Sequence, residues 1–154
     1  MLFRSAAIGD GTFVVAWRDA APDGVDGDGT AVRWARLGSN LQRVGDARSA
    51  ATTVAGDQAR PTLAVGAGMN PTLLIAWEDA PSGHIRGRLV RADGAEVFSR
   101  IGGSTRDFQL SAGAGAPRRS PAAAAGGATL PQFAVAWEGE DAAGAGVHLR
   151  LFPQ

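Results

Sequence analysis

Three apolar runs along the chain end in the same dipeptide: "TFVVAWRD" (12–19), "TLLIAWED" (72–79) and "QFAVAWEG" (132–139), which set Trp17, Trp77 and Trp137 sixty positions apart. A continuous apolar run of this length suits a strand buried on both faces. Flanking glycines and β-branched residues argue against helix. Each run is preceded by a small-residue strand closed by glycine, "SAAIG" (5–9), "PTLAVG" (61–66) or "PAAAAG" (121–126), with Pro61 matching Pro121 and Gly66 matching Gly126. After a variable loop comes a third piece that alternates apolar and polar, "VRWARL" (32–37), "IRGRLV" (85–90) or "VHLRLF" (147–152), as a half-exposed strand does. Matching Arg-Leu in these pieces aligns Arg36 with Arg88 and Arg150. A weaker fourth strand is expected at "ATTVAG" (51–56) and "DFQLSAG" (107–113), and copy three stops after its third strand. The chain therefore divides into repeat one (5–58), repeat two (59–115) and repeat three (116–154).

Agreement at separate places in three copies marks an internal duplication, and it makes the fold class all-β. A length of 154 residues holds one domain with a core, and 22 glycines and 8 prolines suit many short strands. Small-residue inner strands in antiparallel units of this length resemble β-propeller blades, the third incomplete. More narrowly, residues 55–97 are similar to a propeller-type repeat of large bacterial secreted or surface proteins, a likeness carried by Gln58, Pro61, Ala64, Trp77, Arg88 and Gly94. Copy three departs from it, since "GAPRRSP" has no glutamine. The resemblance implies that the repeated tryptophans fill the wedge between neighbouring blades. It also implies closure at about four to eight blades. Three units then belong to a longer protein, or two chains form a homodimer of six blades. The alternative fold is a β-trefoil, which closes with three repeats, although the sixty-residue spacing is long for it and no Gln-x-Trp occurs.

Charge narrows the function classes. Fifteen basic residues, all arginine, balance fifteen acidic ones, so no global field favours nucleic acid or an anionic membrane. With no cysteine there is no disulfide, thiolate nucleophile or thiolate-held metal. No segment reaches the roughly 20 apolar residues of a membrane helix, and "MLFRSAAIGDG" does not read as a signal peptide. An extracellular or cell-surface location is expected if the chain works inside a larger protein.

Candidate chemistry is thin. "DAAPDGVDGDGT" places Asp23, Asp26 and Asp28 in one loop, a weak calcium site at most, because Asp-Gly pairs are also ordinary hairpin-turn chemistry. Glu78 and Glu138 follow their tryptophans at equivalent positions and are expected on one rim. Paired carboxylates run glycoside hydrolysis when about 5–10 Å apart; otherwise Arg36, Arg88 and Arg150 are their expected ion-pair partners. Trp34 stands where the other copies have Gly87 and Leu149, which makes it the candidate platform for a sugar. His84 and His148 fall one position apart in the repeat and offer too few ligands for zinc. "APRRS" (116–120) reads as a short basic turn. The expectation is a non-catalytic binding or scaffolding module with a protein or glycan ligand. A carbohydrate-binding lectin is the second reading, and a glycoside hydrolase using the rim carboxylates the third.

Overall fold

The computed structural model describes residues 3–20, 29–52, 55–68, 70–100, 102–113, 116–126, 132–141 and 143–153. Among them lie eleven strands and no helix, arranged as three antiparallel sheets in which each strand pairs with the next along the chain. The first sheet holds β1 (Phe3–Ala7), β2 (Phe13–Asp19), β3 (Ala31–Leu37) and β4 (Arg43–Ser49). The second holds β5 (Gln58–Val65), β6 (Thr72–Asp79), β7 (His84–Arg91) and the short β8 (Phe108–Gln109). The third holds β9 (Arg119–Gly126), β10 (Gln132–Asp141) and β11 (Gly144–Pro153). No sheet among the described residues joins strands of two repeats. The strand pairing between repeats that a three-repeat trefoil barrel requires is absent there, so the trefoil alternative falls.

The sheets stack in chain order, with the second in the middle. Side chains alternate between the faces of a strand, so β6 serves two cores at once. Leu73, Ile75 and Trp77 enter one apolar cluster with Val14, Ala16 and Trp34 of the first sheet. Leu74 and Ala76 enter another with Phe133, Val135 and Trp137 of the third. Residues 72–77 are accordingly all buried, whereas β2 and β10 alternate. One apolar pattern thus has two outcomes, and position in the stack selects between them.

The strand register corrects one alignment. Val15, Ile75 and Val135 are equivalent on the tryptophan strands, and their partners on the third strands are Ala35, Arg88 and Arg150. Arg36 sits opposite Val14 and matches Leu89 and Leu151 instead. A one-residue slip moves a side chain to the other face, so Arg36 does not share the surroundings of Arg88 and Arg150. The same register keeps Trp34, Gly87 and Leu149 equivalent, opposite Ala16, Ala76 and Ala136.

The fourth strand of the first sheet is also displaced from expectation: it is "RVGDARS", Arg43–Ser49, and "ATTVAG" follows it. β4 is largely exposed, so its sequence carries no apolar signal and backbone pairing to β3 defines it. The apolar pair after it, Ala50 and Ala51, turns into the core. The equivalent strand of the second sheet, Phe108–Gln109, lies where the sequence places it.

Candidate functional site

Residues that recur from one repeat to the next meet at the junctions between sheets. Arg88 reaches from the second sheet to the first, its Nη1 donating to the Ser49 and Ala50 carbonyls at 3.4 Å each while Nη2 pairs with Glu96 at 2.9 Å. Arg150 repeats the reach one junction on, donating to the Leu110 carbonyl at 2.8 Å. Leu110 and Ala50 are themselves equivalent, since their amides donate to the matching carbonyls of Ile85 and Val32. One arginine-to-carbonyl clamp therefore occurs twice.

Gln58 and Arg118, sixty apart, form a second repeated device. The Gln58 side chain is fully buried and donates to the carbonyls of Ala55 and Gly56 at 3.0 and 2.9 Å. Arg118 is 7% exposed and donates to Ala112, Gly113 and Ala116 carbonyls at 3.0–3.2 Å. The first arginine of "APRRS" is thus an internal brace of the linker between sheets, while the second, Arg119, opens β9 and is exposed. Arg118 does the work of the glutamine that copy three lacks. Both residues offer several N–H donors to backbone carbonyls that the linker would otherwise leave without partners. Their common offset from the following proline is the signal by which sequence could have paired them.

At the rim after Trp77, the Glu78 carboxylate accepts from the Ser120 backbone N–H at 2.6 Å and from Arg60 at 3.3 Å. Arg60 and Ser120 occupy equivalent positions before Pro61 and Pro121, and both have positive φ, 46° and 54°. Register breaks in β5 and β9 coincide with them. These bulges turn the backbone N–H of Ser120 outward to meet Glu78. Glu78 lines a cleft of about 250 Å³ with Asp79 and Arg119, whereas Glu138 lines an adjoining one of about 570 Å³. Pro117 and Arg119 border both. Glu78 is thereby engaged with Arg60 and Ser120 rather than with Arg36, Arg88 or Arg150. Arg36 pairs with Asp10 and bonds Thr12.

Trp34 is 3% exposed, packed between the first two sheets with the Arg48 guanidinium 6.0 Å from its ring centroid. Its ring is a core side chain and presents no open face to a ligand. Asp23, Asp26 and Asp28 lie outside the described residues, and among the described residues no group of three or more His, Asp or Glu could hold a metal ion.

A third cleft, of about 560 Å³, runs along β11, lined among others by Trp137, His148, Arg118, Arg150, Glu140 and Asp141. Trp137 is 7% exposed and stacks on His148, with ring centroids 6.0 Å apart and planes 17° from parallel. The other histidine is differently placed. His84 Nδ1 lies 3.1 Å from the Ser111 oxygen, which also accepts the Ile85 amide at 3.0 Å. Ser111 is 1% exposed, so this Ser–His contact ties a strand end and offers no nucleophile to solvent. Burial, then the Arg118 and Arg86 charges, lower the His84 pKa from 6.5 against an opposing pull from Asp79. Compared with protein-family profiles, with curated proteins and with solved structures, the chain matches none.

Proposed function

We propose that the chain is a non-catalytic binding or scaffolding module. Its three sheets are blades of β-propeller type, within or derived from a larger bacterial surface or secreted protein. One observation carries this reading: Trp77, Arg88, Arg150, Gln58, Arg118 and Glu78 are all engaged in stacking or bracing the sheets. When repeated polar side chains serve junctions between units, architecture accounts for their recurrence without chemistry. Trp77→Ala is expected to cost about 3–5 kcal/mol as a large-to-small core change, read as a fall in thermal and urea midpoints. A panel of nitrophenyl glycosides is expected to show no turnover. Measurable hydrolysis that Glu78→Gln or Glu138→Gln abolishes would sink the proposal in favour of the hydrolase.

The cleft at Trp137 and His148 supports a second reading, a carbohydrate-binding lectin. The half-buried His148 ring, backed by the buried Trp137 indole and beside carboxylates and guanidinium groups, gives the cleft an aromatic wall with polar groups around it, the usual chemistry of a small-ligand site. Tryptophan fluorescence titrated with mono- and disaccharides checks it, and saturable quenching lost in His148→Ala would favour the lectin over the scaffold.

A further inference from the structure

The two outer faces of the stack are the two halves of a junction that the chain already makes twice. Trp77 enters the core shared with the first sheet, and Trp137 enters the core shared with the second. Each repeated tryptophan therefore points toward the preceding sheet. Trp17, equivalent to both, lies on the opposite face of β2 from the buried Val14 and Ala16, away from the second sheet. Around it the register gathers Phe3, Val15, Phe13 and Leu37, of which Phe3 is 59% and Phe13 36% exposed.

At the other end of the stack, the free face of the third sheet carries Ala134 and Ala136 of β10, with Leu151 and Leu149 opposite them on β11. Val147, Leu149 and Leu151 are 77%, 64% and 66% exposed. On the second sheet the equivalents of Ala134, Ala136, Val147 and Leu151 are Leu74, Ala76, Ile85 and Leu89, all buried in the core that receives Trp137, and Leu149 stands where that sheet has Gly87. One outer face thus bears the inserting tryptophan and the other bears the apolar surface that such a tryptophan packs against.

We propose that a second copy of this chain docks its Trp17 face onto the Leu149 and Leu151 face of the first. The proposal rests on the blade reading above. Its support is that the contact continues, between chains, the interface that joins sheet to sheet within one. The interface is heterologous, since different patches meet, and such an interface closes when the rotation allows. Two copies closing on each other make the contact twice and assemble six sheets, within the range in which radial blades close.

The test is solution mass by light scattering and sedimentation on the whole chain. Wild type is expected at twice 15.7 kDa. Trp17→Ala, and separately Leu149→Asp with Leu151→Asp, are each expected to weaken association by about thirtyfold or more, as loss of a central anchor does. Both changes lie on outer faces, and circular dichroism with a thermal melt verifies that each variant is folded. Mixing the two variants provides the decisive arm. The Trp17 variant keeps an intact Leu149 face and the Leu149 variant an intact Trp17 face, so the mixture regains one junction and associates where neither variant does alone. Assembly of any size that requires both faces upholds the contact. A cooperatively folded wild-type monomer, or association indifferent to both substitutions, overturns it. Neither outcome touches the stacking within the chain, which the Trp77→Ala measurement reads separately.

Discussion

The imidazole of His84 is held below its ordinary value chiefly by burial, then by two guanidinium groups. Just below pH 6.5 the folded chain accordingly binds fewer protons than the unfolded one, so stability rises with pH there. The His84 contribution is fully present above 6.5 and is lost as pH falls through the folded value. Urea midpoints measured from pH 8 down to pH 5 are expected to fall, and His84→Gln should flatten that part of the profile. Stronger acid reports different groups. Thr12 holds the Asp10 carboxyl below 3.8, and Ala95 and Asn70 hold that of Asp93 there, by hydrogen bonds. Their stabilisation is present above 3.8 and disappears as pH drops through their folded values. Trp34 shows the limit of reading single residues. Its departure from the repeat suggested an exposed platform, yet the register places it opposite Ala16, where the small partner leaves room for an indole in the core.

Strands and linkers differ in how much sequence reveals of them. The three tryptophan strands were legible because an apolar run with β-branched residues has few other uses, and all three form. β4 was not, because an exposed strand of arginine, glycine and aspartate looks like a loop until its backbone pairs with β3. The linkers into β5 and β9 were legible only in part. Proline marked both, but nothing local said that Gln58 and Arg118 would turn inward onto the preceding carbonyls. Arg118→Gln is expected to hold most of the wild-type stability, since glutamine already fills this role at position 58. Arg118→Ala should cost about 1–3 kcal/mol, because it leaves buried carbonyls without donors. Paired urea denaturation of the two variants decides; equal losses would mean that the donors at this position are not what matters.

At the scale of the whole molecule, the second sheet contributes to both cores while each outer sheet contributes to one. Opening it breaks two apolar clusters at once. Native-state hydrogen exchange should therefore find the slowest amides in β6 and β7, with β4 and β11 exchanging through lower-energy openings. Protection in β2 equal to that in β6 would contradict this order, unless the outer face of the first sheet is covered by another copy. Dilution distinguishes these cases, because protection given by a partner falls with concentration.

The sequence by itself determined the repeat, the all-β class and the strands that carry tryptophan, because apolar periodicity and turn residues act over a few positions and each copy restates the others. The tertiary structure alone decided which of three similar strands is buried on both faces, and which arginines share a role. It also decided that the repeated polar residues brace the junctions. Those outcomes depend on what packs against a strand and on a pairing register in which one residue reverses the face. Neither is encoded within the segment that it governs.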